Sequence, residues 1–196
     1  MANWIQWIVT TILKGTEFFT GKNRGLHDMK QKKDQELLNR IKQTLPSSGS
    51  TISYLLTKHD FSVEFKDDLL APIDSLDRLF NQPDNYFLDK ELEKKREKLA
   101  NALKDFRQVI AEKIFRSNTM PGYYTIVTID EIARGILSYS QRQGKSPNSD
   151  EVRAAFGEAH RQFEINGREL NSAATKLLTA YSELLKSAHR RILVKE

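Results

Sequence analysis

The sequence predicts an all-α fold, an antiparallel bundle of long helices with short connecting helices, and three observations carry that expectation. Apolar residues recur in steps of three, four and seven along charged stretches, most clearly at Leu92, Leu99, Leu103, Phe106, Ile110 and Ile114. The nine glycines and five prolines are few for 196 residues, and they gather at the breaks between those stretches. With 39% hydrophobic and 29% charged residues, the chain has the balance of a packed protein rather than a disordered one.

The elements follow in order. From Asn3 to Phe19, Gln6, Thr10, Lys14 and Glu17 fall on one narrow polar stripe at 100° per residue. Trp4, Ile5, Trp7, Ile8, Val9, Ile12, Leu13, Phe18 and Phe19 cover most of the remaining circumference. A helix apolar over so wide an arc belongs in a core or against a surface outside the chain. Residues 1–21 are accordingly read as an apolar N-terminal helix, docking or core, and residues 22–196 as one helical-bundle domain. Thr20 to Gly25 reads as a linker with two glycines and two cations.

A helix is expected from Asp28 to Leu45, apolar at Leu37, Leu38, Ile41 and Leu45, and broken by Pro46 to Ser50. Ser50 is a suitable N-cap for a short helix through Thr57. Phe61 to Phe65 alternates apolar and polar but is too short to found a sheet. A helix starting near Asp67 or Asp68 presents Leu69, Ile73, Leu76 and Phe80, with Pro72 in its first turns. The clearest helix covers Asp89 to about Phe115. Tyr123 to Ile129, rich in β-branched and aromatic residues, reads as extended, and Asp130 to Gln143 as a helix closed by Gly144. Ser149 caps the last helix, which Asn166-Gly167 threatens to interrupt before Leu170, Leu177, Tyr181, Leu184 and Ile192 continue its apolar face.

The segments Leu45-Pro46-Ser47-Ser48-Gly49-Ser50, Lys58-His59-Asp60-Phe61 and Phe87-Leu88-Asp89, with Tyr181 to Arg191, resemble a helical family of bacterial proteins without assigned function. The likeness covers residues 37–116 and the last helix. It implies an all-α bacterial protein and carries over no catalytic residue.

The candidate chemistry is sparse. Without cysteine there is no disulfide, thiolate nucleophile or cysteine-based metal site, which fits a reducing cytoplasm. His27, His59, His160 and His189 share no metal-ligand spacing, so neither metal nor cofactor is expected. Gly144-Lys145-Ser146 lacks the earlier glycine of a phosphate loop, since Tyr139 stands there. Acid pairs such as Asp74 and Asp77 read as charged helix face. Arg153 and His160, seven apart on one predicted helix face, are similar in spacing to the catalytic pair of helical HEPN ribonucleases, although Ala154 replaces the polar residue that often follows the arginine. That resemblance supplies the enzymatic alternative, a toxin or defence ribonuclease.

The net charge of +5 is spread along the chain and interleaved with acids, so a nucleic-acid partner has little beyond the basic pI in its favour. Lys22, Arg24, Lys30, Lys32 and Lys33 follow the apolar N-terminal helix, an order that suits a membrane surface. Trp4 to Leu13 is too short to span a bilayer, and it has no cationic flank or cleavage site of a secretory signal. The leading expectation is a cytoplasmic, non-enzymatic interaction protein that meets a protein partner or a second copy through Trp4, Trp7, Ile8 and Ile12. Peripheral membrane binding is the other alternative.

Overall fold

The computed structural model describes residues 28–45, 53, 56–57, 61, 64–117, 120–126, 129–144, 146 and 149–193. The expected N-terminal helix, with Trp4, Trp7, Ile8 and Ile12, lies outside them, as do Lys22, Arg24, His27 and His59.

Helix α1 spans residues 28–44 and buries Leu37, Leu38 and Ile41, with Leu45 just beyond it. Strand β1 (Phe65–Lys66) leads through a 3-10 turn (Asp67–Leu70) into α2 (Ala71–Phe80). Pro72 sits at the second position of α2, where no intrahelical partner awaits its missing N–H. Helix α3 (Lys90–Lys113) starts at Asp89, whose carboxylate accepts the N–H groups of Glu91 and Leu92 at 2.9 and 3.1 Å. It buries Leu92, Leu99, Leu103 and Phe106, the stripe that its periodicity predicts.

The fold is mostly helical, but "all-α" needs correction: β1, β2 (Phe115–Arg116) and β3 (Tyr123–Thr125) form an antiparallel sheet in the order β1-β3-β2. Phe65 faces Tyr124 across one ladder, and Phe115 faces Thr125 across the other. Ile114 has already turned extended, at φ −109° and ψ 136°, so the helix expected to reach Phe115 stops short. Pairing with β3 and burial of Ile114 outweigh one more helical turn, because strand preference is decided by packing partners. Gly122, at φ +81°, supplies the left-handed residue that the turn into β3 requires. Phe61 anchors the sheet to α3, edge-on to Phe65 and Phe106 with centroids 5.7 and 6.0 Å away.

Helix α4 (Ile129–Arg142) ends at Gly144, φ +67°, and α5 (Asp150–Ala188) runs for 39 residues before a π turn (His189–Leu193). Ser149 caps α5 by accepting the N–H of Val152. The interruption expected at Asn166-Gly167 does not occur. Gly167 is buried inside the continuous helix, and a Cβ there would lie 3.9 Å from Ile126 Cδ1, so the site is a packing point against the β3 exit.

Helices α3 and α5 run antiparallel: Lys95 meets Glu183 at 3.0 Å, and Lys113 meets Glu169 at 3.2 Å. Helix α1 lies along the C-terminal half of α5, where the Tyr181 hydroxyl donates to the carbonyl of Leu45. Among the described residues, no helix is long and apolar enough to cross a membrane.

Candidate functional site

The residues that α1, α3 and α5 bring together at one end of the bundle form the most organised polar cluster of the described chain. Asp34 stands in register with Leu38, Ile41 and Leu45 on the apolar face of α1, which is why an acid ends up only 4% exposed. Its two oxygens accept the backbone N–H groups of Leu88, at 2.6 Å, and Asp89, at 2.9 Å. Burial pushes the Asp34 carboxyl above its ordinary value, against the pull of those two N–H groups. On the other side, Arg191 reaches Asp89 at 2.7 Å, and Gln31 donates to the carbonyl of Ile192 at 3.2 Å. The start of α1, the cap of α3 and the end of α5 are thus tied into one pole. A cavity of about 190 Å³ lies between them, with Lys30, Asp34, Leu88 and Arg191 in its lining.

Two further polar nodes hold the segment between α2 and α3. Asn85, 7% exposed, donates to Leu79 O and Gln82 Oε1 and accepts from Arg40. Glu93 accepts the N–H of Phe87 at 2.8 Å and two nitrogens of Arg96, whose guanidinium lies 5.5 Å from the Phe80 ring centroid. Burial alone would raise the Glu93 carboxyl, but the Arg96 and Phe87 bonds outweigh it and hold the group low. Tyr181, buried against α1, has its hydroxyl pushed up to about 12 by that burial.

The other buried polar side chains are also spent inside the fold. Ser117 donates to Glu64 and accepts the N–H of Met120, Thr125 bonds the Ile126 carbonyl, and Ser140 bonds the Leu137 carbonyl. Asp74 and Asp77 share Arg107 across the α2–α3 contact, as expected of a charged face. The trough of about 690 Å³ beside them is lined by both signs of charge, and its Arg96 and Arg107 are already paired.

Arg153 and His160 do share one side of α5, and both are exposed. Each pairs with an acid of its own helix: Arg153 with Asp150 at 4.0 Å, His160 with Glu164 at 3.5 Å. Of the basic residues expected to form a patch, Lys30 and Lys32 are exposed, while Lys33 lies 3.8 Å over the Tyr86 ring. No group of three metal-ligating side chains occurs among the described residues. Asp34, Asn85, Glu93 and Tyr181 were not singled out from the sequence for any of these roles. The readable signal was Asp34 itself, an acid placed on an otherwise apolar stripe.

No protein-family model matches the chain, and neither a curated protein nor a solved structure matches it.

Proposed function

We propose that the chain is a non-enzymatic interaction protein, an antiparallel bundle of long helices that presents its apolar N-terminal segment to a partner. One observation carries the reading: each buried polar side chain of the described residues makes its hydrogen bond within the fold, mostly to a helix end or a turn. Chemistry usually depends on polar groups aimed into a cleft, and these polar groups are occupied with architecture. The absence of cysteine supports a reducing compartment, the cytoplasm of a bacterial cell in this reading. Trp4 and Trp7 are the expected anchors, with Ile8 and Ile12 beside them, because a large ring buried at an interface dominates its energetics.

The test is sedimentation of the full chain beside a Trp4→Ala/Trp7→Ala variant, with circular dichroism on both. A folded variant that associates at least 100-fold more weakly, with itself or with a co-purifying protein, is the expected result. Unchanged association, or a variant that has lost its helical signal, overturns the reading: the first means that the tryptophans are not the anchors, the second that they belong to the core. The ribonuclease alternative predicts RNA cleavage that disappears in Arg153→Ala and His160→Ala.

A further inference from the structure

One flank of the bundle carries a groove that no described element fills. Two cavities of about 340 and 400 Å³ both take Ala102 and Asp105 from α3 and Lys176 from α5 into their lining, so they run together along the α3–α5 seam. The floor is small and apolar: Ala173 and Ala180 are buried, Ala102 and Val109 half-buried. Ion pairs between the two helices close its ends, Lys98 with Glu183 at 2.9 Å and Lys113 with Glu169 at 3.2 Å. We propose that this groove is the seat of the chain's own N-terminal segment, entered by Ile5, Val9 and Leu13, so that Trp4 and Trp7 are held outward for a partner. The outward half of the proposal rests on the interaction reading above; the seat itself does not.

The lengths of chain select this occupant. Gln31 bonds to Ile192, so α1 begins beside the end of α5, and the near end of the groove at Glu183 is about 14 Å back along that helix. Residues 20–27 join the apolar segment to α1 and span up to about 28 Å when extended, enough to turn the corner onto the flank. As a helix, Asn3 to Phe19 is about 26 Å long, which carries it from the Glu183 end past Glu169. A helix seated on the half-covered arm, from Asn166 outward, would have to start about 39 Å from Ile192, beyond the reach of the linker. A second copy has to compete with a tethered segment whose effective concentration over so short a linker is about millimolar, so the chain's own segment takes the seat.

The face that enters follows from the same pattern. At the helical repeat, Ile5, Val9 and Leu13 form one ridge, centred about 150° round the axis from Trp4 and Trp7. An aliphatic ridge of that spacing packs into a groove floored with alanine, where the backbones can come close. An ordinary surface helix needs only one apolar arc, so an arc this wide serves two surfaces, one within the chain and one beyond it. The polar rim of the groove, with Asp105 and Lys176 exposed, matches the border that surrounds apolar contact sites.

The experiment is hydrogen exchange on the full chain, with circular dichroism to check folding. Wild type is compared with Ile5→Gln/Val9→Gln/Leu13→Gln, Ser172→Arg/Thr179→Arg and Trp4→Ala/Trp7→Ala. Ser172 and Thr179 are exposed lining residues, so arginine there fills the groove without entering the core. Amides of residues 5–16 should exchange at least about 10-fold more slowly in wild type and the tryptophan variant than in the other two, at any protein concentration. The ridge and groove variants act from opposite sides of the contact, so either decides the outcome if the other does not fold. Fast exchange in wild type, protection that survives a folded ridge or groove variant, or protection lost in the tryptophan variant each overturns the proposal. Protection that grows with protein concentration also overturns it and assigns the groove to a second copy. Sedimentation of the same chains tests the interaction reading separately: unchanged association of the tryptophan variant overturns that reading and leaves the seat standing.

Discussion

The two halves of α5 live in different surroundings. From Gly167 to Ala188 the helix lies against α1 and α3, and Leu170, Leu177 and Leu184 are fully buried. From Arg153 to Asn166 it has α4 for company, and not one residue of that stretch is buried; Phe156 and Phe163 are half-covered. The ion pairs divide in the same way. In the bundle half they cross between helices, as in Lys95–Glu183, Lys113–Glu169 and Arg191–Asp89. In the arm, Arg153–Asp150 and Arg161–Glu158 stay within one helix, as does Arg168–Glu164 at the junction of the two halves. Two helices can cover only one edge of each other, whereas a third closes the stripe, so the same amphipathic pattern yields a rigid bundle at one end and a looser arm at the other.

The largest effect expected from this contrast is in the core. Phe106→Ala removes a ring that is fully buried against Phe61, and it should cost about 3–5 kcal/mol in chemical denaturation. Phe163→Ala makes the same chemical change in the arm and should cost about 1–2 kcal/mol, because a half-buried ring removes less area from water. Equal losses would mean that the arm is as tightly packed as the bundle.

Next comes the pole. Asp34→Ala leaves the N–H groups of Leu88 and Asp89 without their acceptor and should cost about 2 kcal/mol at neutral pH, with Asp34→Asn recovering part of it. The carboxyl sits above its ordinary 3.8, so its protonation favours the fold. That gain is complete below pH 3.8 and fades as the pH rises through the raised value. Glu93 has the opposite sign. Its folded value is below 4.5, so its contribution is complete above that pH and fades as the pH falls through the lowered value. Glu93→Gln should therefore cost about 1 kcal/mol at pH 7, and the gap to wild type should narrow in acid. A gap that widened below pH 4.5 would contradict the assignment.

How much of this was readable beforehand follows from the same contrast. The stripes at Leu37 to Leu45 and Leu92 to Phe106 predicted the bundle helices correctly, because local periodicity and tertiary burial agree there. The cap at Ser149 was legible for the same reason, because it is satisfied within three residues; Asp89 was expected inside its helix and caps it instead. The sheet as a whole was not legible, since Phe65 meets Tyr124 across nearly the whole length of α2 and α3 and no local pattern encodes that pairing, even though Phe115 and Thr125 lie close in sequence. Gly167 misled because it is buried inside a continuous helix beside Ile126, a tertiary placement that only the folded chain supplies. The pole was not legible: only the Gln31–Ile192 contact shows that the start of α1 meets the end of α5.

The smallest effect probes the arm from the stabilising side. Gly157 lies inside α5 on an exposed face, and a Cβ built there meets no atom within 4 Å. Its backbone is helical, so alanine fits without strain and narrows the unfolded ensemble. Gly157→Ala should raise stability by about 0.4–1 kcal/mol. Hydrogen exchange shows where that gain falls: amides of residues 153–166 should slow, while those around Leu177 and Leu184 should change only through global unfolding. The comparison breaks if the bundle amides slow by the same factor through local openings, for then arm and bundle open as one cooperative unit. It sharpens if the gain is confined to the arm, because the third helix then accounts for the stability difference along α5.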